Sequence, residues 1–217
     1  TLKSSAHRNL FALFLEMGLG KSKILLDNAG MLFEEGKISG LLIVSPKGNL
    51  NNWDSNEISR HLPERIKRNV LVWQPNHTQR WTKAFKDMVQ NDSTGVLNIF
   101  LVNVEAFATV KACTHVEEFL VTHDAMMAID ESTTIKNPKA KRTKHLIKLG
   151  PLADYRRILT GFPITKAPLD LYSQCYFLSP NLLGFSSFYA FQARYAITQS
   201  RQMGRHAFQQ VMGFQKL

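Results

Sequence analysis

A chain of 217 residues with 44% hydrophobic side chains can bury a full core, and its net charge of +10 (27 basic against 17 acidic residues) favours polyanionic partners, nucleic acid first. Two cysteines, Cys113 and Cys175, exclude a disulfide framework and are expected as buried, reduced thiols in a cytosol-like compartment, and Cys113-Thr114-His115 lacks the second ligand pair of a zinc site. No window reaches the ~18 apolar residues of a membrane span and Thr1-Leu2-Lys3-Ser4 opens no signal peptide, so a soluble, intracellular protein is expected.

Residues 9–22, NLFALFLEMGLGKS, turn abruptly from an apolar strand into a glycine-rich segment. Small residues there let consecutive amides converge on an anion, and the helix that follows adds the positive end of its dipole. In a phosphate loop, the amides of Met17, Gly18, Leu19, Gly20, Lys21 and Ser22 would cradle the α- and β-phosphates of a polyphosphate. Lys21 would reach the β- and γ-phosphates and Ser22 would ligate Mg²⁺. The strict G-x-x-x-x-G-K-[ST] pattern is missed at Leu15, which leaves an ordinary strand-to-helix turn as the alternative.

Residues 21–35 read as a helix with Gly36 at its C-terminal cap. LLIVS (41–45) reads as a buried strand stopped by Pro46, and 52–62 as a short helix ended by Pro63. VLVW (70–73) is a third strand, and Trp81, Phe85, Met88 and Val89 recur at helical spacing as a core-facing stripe. LNIFLV (97–102), AMMAI (125–129) and RRILT (156–160) complete six strands. Strands alternating with helices imply an α/β fold with a mostly parallel sheet covered on both faces. In such sheets the ligand sits beyond the carboxyl ends of the strands.

Polar residues follow four of these runs: Gly18 to Ser22, Ser45-Pro46-Lys47, Asp130-Glu131 and Thr160-Gly161. The acidic pair fits a metal aspartate followed by a glutamate that orients and deprotonates a water. A helix N-cap is the alternative. Together with the phosphate loop, the pair favours nucleotide chemistry, which needs the cradle, the metal and the water-handling group at once.

The order of these segments resembles the first RecA-like lobe, a P-loop NTPase fold, of a superfamily-two helicase, most closely the Swi/Snf-type translocases of double-stranded DNA. EMGLGKS (16–22) resembles motif I, LLIVSPKGNLNNW (41–53) motif Ia with the family's tryptophan at Trp53, and VNVEAF (102–107) motif Ib. IDESTTIKN (129–137) resembles motif II and LTGFPI (159–164) motif III. The short, insertion-free lobe is similar to compact phage or bacterial members. The resemblance implies ATP and Mg²⁺ as cofactors, Ser22 and Asp130 as metal ligands, and Lys21 and Glu131 as catalytic groups. Thr160 and Gly161 would couple the nucleotide to nucleic acid, and Pro46, Lys47, Asn103 and Glu105 would lie along one strand of the DNA, double-stranded or forked, without reading its sequence.

The match departs from the family pattern at Ser132-Thr133 and Phe162, and no adenine-contacting segment is recognisable in residues 1–9, so the natural protein is expected to begin upstream. The motor lobe is expected over residues 1–166, with 167–217 a helical extension towards a second RecA-like lobe that the chain lacks, together with its arginine finger. The isolated chain should therefore bind ATP weakly and turn it over slowly. Its compartment follows the source: host cytoplasm or nucleoid for a phage or bacterial member, nucleus for a eukaryotic one.

Residues 136–148, KNPKAKRTKHLIK, hold six basic residues and no acid, either a nucleic-acid track or a solvated helix face. After Asp170 no acid remains, while Arg194, Arg201, Arg205 and Lys216 do. Leu171, Tyr172, Cys175 and Tyr176 form a helical stripe that favours packing over base stacking, and 199–217 read as a link of weak periodicity. An ATP-dependent helicase or translocase motor is the function expected. The alternative is a degenerate lobe that binds nucleic acid or protein without productive hydrolysis.

Overall fold

The computed structural model describes residues 2–90, 95–203 and 206–215. A short helix α1 (Leu2–Ser5) leads into strand β1 (Leu10–Phe14) and helix α2 (Lys21–Glu34), which ends with Gly36 at a φ of 68°. Then come β2 (Gly40–Ser45), α3 (Lys47–Asn52), a π-helical turn (Trp53–Glu57) and α4 (Ile58–His61). The helical stretch thus starts five residues earlier than the expected 52, because Pro46 supplies its cap position, and it stops where Leu62 turns extended before Pro63. β3 (Arg68–Val72), α5 (Gln79–Gln90) and β4 (Leu97–Asn103) follow, the third strand shifted from 70–73 because Trp73 leaves it.

A 3₁₀ turn (Val104–Ala108) leads into α6 (Val110–Thr122), to which no element was assigned from sequence. β5 (Ala125–Asp130), a 3₁₀ turn (Ser132–Ile135), α7 (Lys141–Leu149) and β6 (Tyr155–Thr160) complete the sheet. Beyond it lie α8 (Leu171–Leu178), α9 (Phe188–Tyr195) and an antiparallel hairpin of β7 (Ala196–Met203) and β8 (His206–Phe214). The hairpin corrects the reading of 199–217 as a link. α8 buries Ser173, Gln174, Phe177 and Leu178 besides Tyr172 and Cys175, so it is enclosed on more sides than its stripe implies. Cys175 is buried as expected, Cys113 only half-buried. Arg205 and Lys216 lie outside the described residues.

The six strands are parallel, in the order β1-β6-β5-β2-β4-β3. Alternation along β2 fills both cores: Leu41 and Ile43 pack with Leu25, Leu26 and Ala29 of α2, while Leu42 and Val44 pack with Phe85, Val116, Phe119 and Leu146 of the opposite layer. No helix among the described residues is long and apolar enough to cross a membrane.

Two buried polar groups fix how the layers close. Arg157 on β6 is fully buried with no carboxylate partner among the described residues; its guanidinium donates to the carbonyls of Ser5, Arg8, Asn9 and Arg156 and to Asn28 Oδ1 at 2.7–3.1 Å. It thereby ties the N-terminal segment to α2 and the sheet. Burial pushes its pKa down to about 10, which leaves it charged at neutral pH. On the far side, His123 donates from Nδ1 to Phe119 O (2.9 Å) and accepts from Asn98 at Nε2 (3.0 Å). It lies so close to Gly40 that a Cβ there would come within 2.8 Å of its own.

Arg157→Met should remove the guanidinium from four carbonyls and one amide oxygen, of which Ser5 O and Asn9 O keep a backbone N–H donor, and lower the unfolding free energy by about 3 kcal/mol or more, read from urea denaturation. Burial also holds His123 below the ordinary histidine value, against its backbone hydrogen bonds and the charge of Asp124, and burial foremost lowers His77 too. With the folded pKa lowered, the unfolded chain binds the proton first. Stability is therefore complete above about pH 6.5 and falls as pH drops below it. The urea midpoint should decline from about pH 7.5 to about pH 5.5, and His123→Gln should shrink the decline.

Candidate active site

The carboxyl end of β1 passes into a turn in which Gly18 and Gly20 take φ of 81° and 76°, a region open to glycine without steric penalty. Leu19 N–H closes the turn onto Glu16 O (3.4 Å), and Ile24 N–H is the first to bond a helical carbonyl, Gly20 O (3.0 Å). The amides of Gly20, Lys21 and Ser22 therefore stand ahead of the ladder of α2, with no side chain capping them. That is an anion cradle in outline. Lys21 is turned onto its own loop, donating to Leu15 O (2.9 Å) and Glu16 O (3.1 Å). Met17 and Leu19 expose their side chains beside it.

Asp130 ends β5, and Met126 and Ala128 before it pack in the same core as α2, so strand alternation puts its carboxylate on the α2 side of the sheet. The phosphate-loop lysine and the aspartate are thus on one face, with β6 alone between their strands. Asp130 Oδ1 accepts Glu131 N–H (3.0 Å), and Oδ2 accepts Ser45 Oγ–H (2.9 Å) and Trp53 Nε1–H (3.0 Å). Neither carboxylate caps the following 3₁₀ turn, so the N-cap alternative does not describe their use here.

Glu131 has a φ of 47°, the only positive value among the described non-glycine residues. Such backbone costs about 1–3 kcal/mol and persists where something else demands it. The carboxylate accepts from the buried Thr160 Oγ1 (3.3 Å), which in turn accepts Phe162 N–H (3.2 Å). Thr160 pairs in register with Phe14, and a Cβ on Gly161 would lie 3.5 Å from Met17 N, so the end of β6 rests against the phosphate loop.

Across the β5–β2 junction the edge changes character. Ser45 is in register with Asn103, which brings the Pro46-Lys47 and Asn103-Glu105 segments side by side. Lys47 and Glu105 are exposed, and Asn103 donates to Glu105 Oε2 (3.2 Å). With Trp73 and Lys111 they line a groove of about 630 Å³. These four predicted nucleic-acid residues gather together and apart from the loop. α7 turns Thr143, Leu146 and Leu149 inward and leaves Lys141, Lys144 and Lys148 in solvent, with His145 bonded to Phe107 O (2.7 Å) in the turn after β4.

A polar strut that sequence reasoning missed joins the two departures from the family pattern. The buried Gln174 accepts from Ser132 Oγ (2.7 Å) and donates to Pro163 O and Asp170 O (both 2.8 Å). Its signal was a polar residue inside the apolar stripe of α8. Asp170, the last acid of the chain, gathers the Thr165 and Lys166 amides (3.0 and 2.9 Å) and Lys136 (3.5 Å). Burial raises its pKa, but these donors outweigh it and hold it below the usual carboxylate range.

A family model for the SNF2-related domain matches residues 4–214. The chain is 30% identical over 168 residues to the chromatin-remodeling ATPase INO80 of Debaryomyces hansenii, covering 77% of this chain and 12% of that protein. It is 30% identical over 170 residues to the helicase SWR1 of Cryptococcus neoformans, covering 78% and 12%. A solved SWI2/SNF2 ATPase core of Sulfolobus solfataricus in complex with double-stranded DNA superposes with a TM-score of 0.66 at 24% identity, over 89% of this chain and 36% of that one, a likeness of fold. The chain spans about an eighth of the length of these curated relatives.

If the backbone at Glu131 is held against its own preference for the sake of the carboxylate, Glu131→Gly should not destabilise the fold. The unfolding free energy should stay level or rise by up to about 1 kcal/mol in urea denaturation. A loss of that size or more would mark the side chain as structural.

Proposed function

The chain belongs to the SNF2-related domain family, and on that premise we propose that it is the N-terminal ATP-binding lobe of a motor that moves along double-stranded DNA. The observation that carries this reading is the shared face of the Lys21-Ser22 turn and the Asp130-Glu131 pair, with Thr160 of the strand between them bonded to Glu131. The named relatives, an ATPase and a helicase, support it.

The free amides at the start of α2 and the helix dipole receive the phosphates. Lys21 leaves the carbonyls of Leu15 and Glu16 to meet them; both acceptors are neutral and the site is open, so a polyphosphate competes well for the ammonium. Among the described residues no three His, Cys, Asp or Glu cluster as a self-sufficient metal site. The residues fit Mg²⁺, which needs few protein oxygens, and Ser22 Oγ and Asp130 would hold it. Bound there, the ion would supply positive charge against the phosphates. Glu131, steadied by Thr160, orients the attacking water and takes its proton at a carboxylate oxygen.

Met17 and Leu19 in the loop and Phe162 next to Gly161, which rests against Met17, leave exposed apolar surface suited to a second RecA-like lobe that supplies the arginine for the γ-phosphate charge. Duplex DNA lies along the Pro46-Lys47 and Asn103-Glu105 edge and the basic face of α7. Its contacts go to the phosphodiester backbone, so they are sequence-blind.

ATP turnover on the protein with its second lobe, with and without duplex DNA, tests the reading. DNA should stimulate turnover, and Lys21→Ala and Glu131→Gln should each reduce it by about 10²-fold or more, with nucleotide still bound by Glu131→Gln. Nucleotide binding without turnover would favour the degenerate lobe. DNA affinity should fall steeply with salt, with a log–log slope of about −0.9 per phosphate neutralised.

A further inference from the structure

The outer oxygen of Asp130 is committed to the nucleic-acid half of the sheet. Oδ2 accepts Ser45 Oγ–H at 2.9 Å and Trp53 Nε1–H at 3.0 Å, and both donors are buried, Ser45 completely and Trp53 to 2% exposure. Oδ1 is left with the adjacent Glu131 amide. Two charge-assisted donors on one oxygen fix the rotation of the carboxylate and hence the direction in which Oδ1 faces.

Neither donor is local. Ser45 is the last residue of β2, in register with Asn103 on its other side and followed directly by Pro46 and Lys47. Trp53 opens the π-helical turn between α3 and α4, on the same helical stretch as Lys47, about 9 Å along its axis. The wider turn re-aims the residues after it, a distortion that recurs at functional sites. A buried indole N–H needs an acceptor, and a backbone carbonyl would serve. Here the acceptor is the one carboxylate on which the metal depends.

We propose that Trp53 and Ser45 are positioning residues for Asp130, and that through them the helix carrying Lys47 transmits nucleic-acid engagement to the carboxylate that ligates Mg²⁺. The proposal rests on the nucleotide reading of the site and adds to it the route between the two halves. A phosphodiester contact at Lys47 that shifts α3 alters the indole bond on Oδ2 and turns Oδ1. By thermodynamic reciprocity, Mg²⁺-nucleotide must then change the affinity for duplex DNA. The linkage is first-hand contact: lysine helix, indole, carboxylate.

The test uses the protein with its second lobe, as wild type and as the separate single variants Trp53→Phe, Ser45→Ala and Lys21→Ala. Binding of a fluorescent ATP analogue is measured in EDTA and across a Mg²⁺ titration, and binding of a labelled duplex is measured with and without Mg²⁺ and a non-hydrolysable ATP analogue. Loss of a partner that orients a metal ligand typically costs about 10–100-fold in metal affinity. Trp53→Phe and Ser45→Ala should therefore raise the Mg²⁺ midpoint about tenfold while nucleotide affinity in EDTA stays within about twofold. The change in duplex affinity caused by Mg²⁺-nucleotide should vanish in Trp53→Phe and persist in the wild type. A purely structural role would weaken binding in EDTA and in Mg²⁺ alike, and that result overturns the proposal, as does an unchanged Mg²⁺ midpoint in either variant that melts within a few degrees of the wild type. Should Trp53→Phe fail to fold, Ser45→Ala decides alone. Lys21→Ala separates the two levels: if the wild type binds no nucleotide, or Lys21→Ala binds it equally well, the nucleotide reading itself falls. If Lys21→Ala loses binding while Trp53→Phe and Ser45→Ala keep the wild-type Mg²⁺ midpoint, only the positioning role does.

Discussion

Everything at the working edge follows from six strands that all run the same way in the order β1-β6-β5-β2-β4-β3. Parallel strands deliver every carboxyl end to one edge. Chain order alone would scatter the loops, since β1 and β5 are separated by three other strands in sequence. The crossovers instead bring β1, β6 and β5 together and set β2 next to β5. That adjacency places the glycine-rich turn, Thr160 and the Asp130-Glu131 pair on one half of the edge and Pro46, Lys47, Asn103 and Glu105 on the other, with a single seam between them. At the seam stand Ser45 and Asp130, joined by a hydrogen bond across 85 positions of sequence.

Much of this was legible because parallel strands buried on both faces must be continuous apolar runs, and LLIVS, LNIFLV and AMMAI announce themselves as such. The glycine-rich turn and the acidic pair were legible for a related reason: flexible or charged residues directly after such runs conflict with burial unless they work at the edge. What stayed hidden was set by tertiary context. α6 holds Cys113, Thr114 and Val116, weak helix formers, and its stripe of Ala112, Val116, Phe119 and Leu120 matters only once the sheet lies beneath it. β7 and β8 mix glutamine, serine, threonine and arginine with scattered apolar residues, and among their described side chains only Ala196 is buried, so no alternation marks them. The left-handed backbone at Glu131 and the indole bond of Trp53 have no signature in composition or spacing, since each depends on a partner far away in the chain.

Buried polar groups act here as fasteners more than as sources of stability. An apolar core sets no preference for how α1 meets β6 or how α8 meets the 3₁₀ turn after Glu131, because oily surfaces slide at little penalty. Arg157 and Gln174 remove that freedom, since a small displacement would leave several carbonyls unpaired in a dry interior. Hydrophobic area holds the layers together, and these two side chains decide their alignment.

The same logic bears on the two departures from the family pattern. Ser132 and Phe162 stand where other residues are usual, and Phe162 is 61% exposed, offering no polar link of its own. Yet the segments that hold them are not loose from one another. Ser132 is completely buried and bonded to Gln174, which also carries the carbonyl of Pro163, one residue past Phe162. Thr160 Oγ1 meanwhile bonds both the Glu131 carboxylate and the Phe162 amide. The acidic pair and the end of β6 are therefore joined twice, once through Thr160 and once through Gln174. A rotation of Glu131 that broke one joint would strain the other, so the two segments have to move together. Coupling between them survives the change of residues because it runs through a side chain donated by α8, an element outside the motifs themselves.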